Sequence, residues 1–426
     1  MVDHRWLIVD GFILSRLPAL VFRLSIHRFH FLSGCDTTGS VTEIAIRQQL
    51  GELARRFQRD GYRLYVIEET ARRFYRRRDT AEIRLWTDAD VIYLARALDD
   101  VNPCGEERWS ASAALGATRL LLACDPLAAG TRRRSAGAVP DPRRVAGQAW
   151  FTVHGLLYDP ARDRYLDPLG CRDDIRRGVL RALAPPGPRP AARLERLLSA
   201  AALAADEPLE PDPALLEELR AEPVALTREL LPAARAGLAA VLTARRPMAG
   251  LELLGELGAL ERIIPELAAL RGCPQDKEYH PEGDVWVHTL ECFRRCRRLP
   301  LGLALGLLLH DIAKPATLVV EKTVSFPGHS PAGAAMAGRI LRRLGFEREL
   351  VEEVQFYVRH HLLPKLVRDL PEVELAALAR HPWFENLVRL YRADVQGSQG
   401  DMARYRSVLR RLAVYHPGLI RRRAVE

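Results

Sequence analysis

The sequence lacks the features that define several common protein classes. Its seven cysteines include no C-x-x-C pair, and an odd number in a chain of 426 residues argues against a disulfide framework. The most apolar segment, at the N-terminus, is interrupted by Asp10, Arg16 and Arg23, too often for a signal or a membrane anchor. We therefore predict reduced thiols, a cytoplasmic location and no membrane partner. Residues 1–44 are expected to be an N-terminal extension without an assigned function.

Lysine is also scarce. Of 63 basic residues only four are lysine, and the formal net charge is +9. An arginine excess of this kind can mark a surface for RNA, DNA or phosphate ligands, but it is equally expected from the codon bias of a GC-rich genome. Arginine-rich segments carry the same two interpretations, since each could bind RNA or form a solvated basic face: 71–79 (with Arg72, Arg73, Arg76, Arg77 and Arg78), 292–298 and 420–426.

The order of periodic segments indicates an α/β first part and a helical remainder. Apolar residues recur at helical spacing over 41–60. Alternating or β-prone runs predict strands at 62–67, 80–87, 117–126 and 149–160. The proline-rich stretch 183–192 marks a boundary, because proline disfavours both helix interiors and central strands. After it, apolar residues at i, i+3 and i+4 predict helices throughout.

Isolated ionisable residues in apolar surroundings are concentrated in the last third of the chain. The clearest case is LGLLLHDIAKP at 305–315, where an apolar run ends in His310 and Asp311. Any one of these residues could be an ordinary buried side chain with a hydrogen-bonding partner. Several together are hard to satisfy in a dry core without a cation, and helical bundles build metal sites from facing helices. The set comprises His288, His310, Asp311, His329, His360, His361 and Asp394.

This order of residues resembles the HD superfamily of metal-dependent phosphohydrolases. The resemblance implies that four residues are metal ligands: His288, His310, Asp311 and Asp394. It also implies that His329 and one of His360 and His361 bind a second metal or a phosphate. Lys314 matches the lysine that follows the family's His-Asp pair, and it could hold a substrate phosphate or lie on the surface. Lys314 and His329 are thus the candidate catalytic residues, and the expected cofactor is one or two divalent ions, from among Mg, Mn, Ni, Fe and Co.

A wider resemblance surrounds this motif. Residues 254–293 and FPGHSPAGAAMAGRILRRLGF at 326–346 resemble bacterial tRNA nucleotidyltransferases, the CCA-adding enzymes, and their poly(A) polymerase relatives. The resemblance implies an α+β nucleotidyltransferase-like head, with a mixed sheet and helices, followed by an all-α neck and an all-α HD domain. The implied bounds are 1–44 for the extension, 45–185 for the head, 186–270 for the neck and 271–426 for the HD domain.

The head departs from that family at each of its chemical motifs. Glu68 and Glu69 stand where the family has two glycines that cradle a triphosphate, and Glu82 and Arg84 stand where it has two metal-binding aspartates. Carboxylates would repel a triphosphate, and a guanidinium would repel a metal ion. We therefore predict that the head does not bind nucleotide and metal in the family's way. The remaining substituted positions are Arg73, Gln148, Ala149, Trp150, Ser199 and Ala202, whereas Arg196 is kept.

The sequence thus favours an enzyme: an HD phosphohydrolase for a nucleotide or RNA-end phosphoester, such as a 2′,3′-cyclic phosphodiesterase or phosphatase, on a scaffold that has lost its polymerase site. A divergent tRNA nucleotidyltransferase involved in tRNA processing is the first alternative. A non-enzymatic RNA-binding protein is the second. The sequence does not distinguish the oligomeric state.

Overall fold

A computed structural model describes residues 39–416, except 79, 81, 105–108, 117, 125–140, 186–188, 222–224, 279 and 399. Eleven strands lie in the described residues: β1 Leu64–Val66, β2 Glu82–Thr87, β3 Asp99–Pro103, β4 Ala111–Leu115, β5 Thr118–Cys124, β6 Leu157–Asp159, β7 Arg164–Leu166, β8 Val179–Leu180, β9 Glu210–Pro211, β10 Val319–Val320 and β11 Val324–Ser325.

Seven of these strands form one mixed sheet in the order β3-β4-β5-β2-β1-β6-β7. Among the described strands of this sheet, β2 and β5 are the one parallel pair, with Arg84 opposite Leu121. Side chains alternate along β2, so Ile83 and Leu85 lie in the core on one face of the sheet and Trp86 in the core on the other. Both faces of the sheet are therefore covered at this strand.

Helices make up most of the rest. They are α1 Gly39–Arg59, α2 Glu68–Tyr75, α3 Val91–Ala97, α4 Pro142–Ala146, α5 Cys171–Arg177, α6 Pro190–Asp206, α7 Pro213–Ala221, α8 Leu231–Leu242, α9 Pro247–Glu256, α10 Ala259–Ile263, α11 Val285–Phe293, α12 Leu301–Leu309, α13 His329–Arg343, α14 Arg348–His360, α15 Leu363–Asp369, α16 Glu372–Ala379, α17 Phe384–Gly397 and α18 Met402–Leu412. From α6 onward they share one large apolar core.

The predicted α+β head followed by helices is confirmed, with some differences in detail. The predicted strand at 149–160 is mostly wrong: Thr152–His154 form a 3₁₀ turn and only Leu157–Asp159 are extended. Strands β3 and β4 were not predicted. The helical part also contains a short hairpin, β10–β11, directly after α12. The predicted domain bounds remain predictions, and residues 1–38 and 417–426, including the terminal arginines, lie outside the described residues.

Helix α12 is the centre of the C-terminal bundle. Gly302 to Leu309 are all buried, as expected for a helix that is apolar on every side. Gly306 allows α14 to approach closely, because a Cβ at this position would lie 2.9 Å from the ring of Tyr357. The close packing of α12 on α14 brings the ends of the two helices together.

Among the described residues, no helix combines the length and apolarity that crossing a membrane requires.

Candidate metal centre

Five elements converge at the C-terminal end of α12. His288 lies on α11, His310 and Asp311 follow α12, and His329 is the first residue of α13. Gly328, just before it, has a φ of +74° that favours glycine, and this turn aims His329 back toward α12. His361 follows α14, and Asp394 lies on α17. The predicted HD residues, with the exception of His360, therefore meet in one buried place.

Three of the histidines are oriented in the same way. The Nδ1 atoms of His310, His329 and His361 lie 2.7 to 2.8 Å from the backbone carbonyls of Leu307, Phe326 and Val358, respectively. Since Nδ1–H donates to a carbonyl in each case, the neutral ring carries its lone pair on Nε2. A hydrogen bond of this kind is the usual way in which a protein orients a metal-binding imidazole.

A first set of donors surrounds Nε2 of His288. This atom lies 3.1 Å from Oδ1 of Asp394 and 3.3 Å from Nε2 of His310. Oδ2 of Asp311 is 3.2 Å from Nε2 of His310. Burial lowers the pKa of His288, but the negative groups around it outweigh burial and hold the pKa well above its usual value. The site therefore favours a positive charge at this position, which a proton or a metal ion can supply.

A second set of donors lies on the other side of Asp311. Nε2 of His329 and Nε2 of His361 are 3.3 Å apart, and each is 3.7 Å from Oδ1 of Asp311. Burial is the main cause of a lowered pKa at both rings. It lowers the pKa of His329 below its usual value and lowers the pKa of His361 to about 4, so both rings are neutral at pH 7. Two lone pairs and a buried carboxylate oxygen without a hydrogen-bond partner thus face one another. A cation satisfies all three, so these residues fit a metal ion.

Lys314 is buried rather than exposed at the surface. Its side chain is 8% exposed, and Nζ lies 2.7 Å from Oδ2 of Asp311. The ammonium also donates to the side-chain carbonyl of Gln275 and lies 5.1 Å from the centre of the Phe326 ring. Burial raises the pKa of Asp311, but His310 and Lys314 outweigh burial and hold it well below its usual value. The surface alternative for Lys314 is therefore wrong.

His360 is not part of the cluster. Its ring packs 4.9 Å from that of Phe356, whereas the next residue, His361, points into the site. Neighbouring positions at a helix end face different directions, which separates the two histidines. Of the two histidines that the sequence left as alternatives, His361 is therefore the one that lies in the cluster.

The structure adds residues that the sequence did not single out. Oε1 of Glu282 lies 2.8 Å from Nδ1 of His288 and 3.0 Å from Nδ1 of His280. The carboxylate thus orients His288 from behind, as backbone carbonyls orient the other three rings. Cys292 places its Sγ 3.5 Å from Nε2 of His288. Its position, one helical turn after His288 on an apolar helix, was the signal available in the sequence.

The substituted positions of the head also lie together. Nη1 of Arg84 is 3.4 Å from Oε2 of Glu68 and 4.0 Å from Oε2 of Glu69, while its Nε is 3.6 Å from Oε1 of Glu82. One guanidinium therefore lies among three carboxylates and offsets part of their negative charge. Glu68 has a φ of +55°, a region that favours glycine, at the position where the resembled family has glycine. Glu68 thus keeps a backbone conformation that suits glycine but carries a carboxylate. Arg84 carries a positive charge where the resembled family has an aspartate.

Much of the arginine-rich segment 71–79 faces inward. Arg72 is fully buried and paired with the buried Glu207, and Arg78 lies 3.1 Å from the same carboxylate. Arg73 lies 2.9 Å from Asp206 at the end of α6. These arginines join α2 to α6, so the interpretation of the segment as a solvated basic face is wrong for Arg72.

Comparison with known proteins shows similarity to one family model and to several bacterial proteins. Residues 285–391 match the family model described as HD domain. The Multifunctional CCA protein of Neisseria gonorrhoeae (strain NCCP11945) is 29% identical over 258 residues, which are 58% of this chain and 62% of that protein. The protein of the same name from Halorhodospira halophila is 30% identical over 224 residues, 50% of this chain and 52% of its own. The match thus spans less than two thirds of these relatives.

A solved structure extends the similarity of the fold. The CCA-adding enzyme of Bacillus stearothermophilus, in a crystal structure with CTP, superposes with a TM-score of 0.55 at 14% identity. The superposition covers 86% of this chain and 82% of that one. At this identity the comparison concerns the fold, and it includes the sheet as well as the helices.

Proposed function

We propose that this chain, a tRNA nucleotidyltransferase family member with a C-terminal HD domain, is a metal-dependent phosphohydrolase whose polymerase site is lost. Its substrate would be a phosphoester of a nucleotide or an RNA end, such as a 2′,3′-cyclic phosphate. The observation that carries the proposal is the pair of donor sets that share Asp311. Neutral Nε2 atoms 3.3 Å apart beside a buried carboxylate oxygen present three acceptors to one another, and a cation between them satisfies all three.

Asp311 has the central place in this arrangement. Its Oδ2 faces His310, and its Oδ1 faces His329 and His361, so the carboxylate can join two metal positions. Divalent ions in such a site supply Lewis acidity toward a phosphoryl oxygen and lower the pKa of water. Lys314 fixes Oδ2 of Asp311 through its 2.7 Å contact. We therefore assign Lys314 the role of a positioning residue for Asp311.

The charges of the head support the loss of polymerase chemistry. Metal ions and a triphosphate need carboxylates and backbone amides, respectively, in the positions that Arg84 and Glu68 occupy. Arg84 already fills the space among Glu68, Glu69 and Glu82 with a positive charge. The three carboxylates in turn make the phosphate side of the site negative. Nucleotide binding would require this internal network to break.

A matched pair of variants tests the phosphohydrolase. His361→Gln removes a donor of the second set, while His360→Gln changes the neighbouring residue that packs against Phe356. We expect hydrolysis of 2′,3′-cyclic nucleotides and p-nitrophenyl phosphate with Mn²⁺, Ni²⁺ or Mg²⁺ to fall at least tenfold in the first variant and to stay within about twofold in the second. Equal activity of the two variants, or no hydrolysis by the unchanged protein with any of the metals, would contradict the proposal.

Nucleotide addition is the second candidate, and the specific observation that favours it is the retained seven-stranded sheet of the head. The similar proteins of both bacteria carry CCA in their names. Incubation of this protein with a tRNA that lacks its 3′ end, labelled CTP or ATP, and Mg²⁺ separates the two functions. Metal-dependent incorporation that is lost on changing Glu82 to Ala would establish the transferase. We expect none.

A further inference from the structure

Cys292 lies in the candidate metal centre although nothing so far gives it a role. It follows His288 by one turn on α11 and is 2% exposed. Its Sγ is one of four donor atoms that all lie within 4.8 Å of one another, the others coming from His288, His310 and Asp394. Three of these four residues belong to the donor set described above, and the fourth is a thiol.

We propose that Cys292 binds the metal as a thiolate and adds a sulfur to the first donor set, that of His288, His310, Asp394 and the shared Asp311. The inference rests on the proposed metal centre and goes beyond it by naming the ligand and the class of metal. Thiolate ligands favour Zn²⁺, Co²⁺, Fe²⁺ or Ni²⁺ over the oxygen-seeking Mg²⁺ and Mn²⁺. When the metal binds, the thiol loses its proton to solvent, and a lone pair of the resulting thiolate forms the bond to the cation.

The distances between donors agree with a single ion. With bonds of about 2.3 Å to sulfur and about 2.0–2.1 Å to nitrogen, two ligands at a near-tetrahedral angle place sulfur about 3.5 Å from nitrogen and two nitrogens about 3.3 Å apart. Sγ of Cys292 lies 3.5 Å from Nε2 of His288. Nε2 of His310 lies 3.3 Å from the same atom. These two donor pairs therefore already stand at the spacing that such an ion would impose, and all four donor atoms lie within 4.8 Å of one another.

A purely structural role for Cys292 is the competing explanation. The residue fills the contact between α11 and α17, where a Cβ on Gly397 would lie 2.6 Å from Sγ. A small side chain is needed there for packing alone. The two explanations differ in what sulfur does when metal is present, because a packing residue adds no electronic transition to the ion.

Cobalt provides the test, since thiolate-to-Co²⁺ charge transfer absorbs strongly in the near ultraviolet. Full-length protein freed of metal with a chelator is titrated with Co²⁺, and binding is measured separately by equilibrium dialysis. The variants are Cys292→Ser and, as a matched control, Cys296→Ser, whose buried thiol donates to the backbone carbonyl of Cys292. We expect the band in the unchanged protein and in the control, its loss in Cys292→Ser, and at least tenfold weaker Co²⁺ binding in that variant.

Each other outcome has a definite meaning. If Co²⁺ binds stoichiometrically without the band, or if Cys292→Ser keeps the band, the thiol is not a ligand and the inference is wrong, while the metal centre stands. If no Co²⁺, Ni²⁺, Mn²⁺ or Zn²⁺ binds to the unchanged protein, the proposed function itself fails. Circular dichroism of both variants, compared with the unchanged protein, shows whether loss of the band reflects loss of the fold, and Cys292→Ala then serves as the replacement variant.

Discussion

Removing the charge of Asp311 should separate its structural role from its metal-binding role. Asp311 and Lys314 are both buried and lie 2.7 Å apart. At an effective dielectric constant of about 20, two unit charges at that distance attract by about 6 kcal/mol before desolvation. Breaking such a buried pair by removing one partner typically costs about 3–5 kcal/mol, because the other charge stays buried without compensation.

We therefore expect Asp311→Asn to lower the free energy of unfolding by about 3–5 kcal/mol in the metal-free protein. Urea denaturation in the presence of EDTA measures this, with Asp369→Asn as the control because Asp369 is at the surface. In the double variant Asp311→Asn with Lys314→Met, the stranded charge is gone and most of the stability should return. Mn²⁺ binding measured by calorimetry should be lost in both variants, since neither keeps the shared carboxylate.

Two results would refute this reasoning. A loss below about 1 kcal/mol for Asp311→Asn would show that Asp311 does not hold Lys314 in the core. Unchanged Mn²⁺ binding in the stable double variant would show that Asp311 is not the carboxylate that joins the two donor sets.

Further outcomes can be measured by the same methods. Glu207→Gln should cost about 3–5 kcal/mol, because it strands the buried guanidinium that it contacts, whereas the exposed Glu210→Gln should cost almost nothing. Gly397→Ala should cost about 1–3 kcal/mol and weaken metal binding, since its Cβ would lie 2.7 Å from the backbone nitrogen of Cys292 and would separate α11 from α17. Burial raises the pKa of Glu69, but neighbouring arginines lower it to about 2. Because this pKa is lowered in the folded state, the carboxylate stabilises the fold above about pH 4.5, and that contribution is lost as the pH falls toward 2; Glu69→Gln should flatten the acid side of the stability profile over this interval.

The sequence predicted the order of helices and strands better than their exact limits. The helix expected at 41–60 and the strands expected near 64 and 82 are present, because their apolar periodicity matches their burial. The segment 149–160 failed for a physical reason: it is rich in buried apolar and aromatic residues without strict alternation, and such a run fits a buried turn as well as a strand. Strands β3 and β4 carry short, polar or alanine-rich runs that contain little β signal.

At the candidate site, the sequence indicated the types and the order of the candidate ligands. It did not indicate the direction in which each side chain points. His360 and His361 are equivalent in the sequence, and only the end of α14 decides which of them faces Asp311. Glu282 acts through Nδ1 of His288, and a supporting contact of that kind has no spacing rule along the chain. Cys292 could have been found from its helical spacing to His288, but without the bundle it reads as an ordinary buried cysteine.

The charged residues of the head that the proposed function treats as substituted depend on one another. Three carboxylates surround Arg84 and stabilise its charge, and Arg84 in turn lowers the repulsion among those carboxylates. A single return of Arg84 to aspartate would place four acidic side chains side by side, and a single return of Glu68 to glycine would leave the guanidinium in the metal position. The HD centre differs from the head in this respect. Its imidazole lone pairs and carboxylates converge without an internal cation that satisfies all of them, so a bound cation would stabilise them.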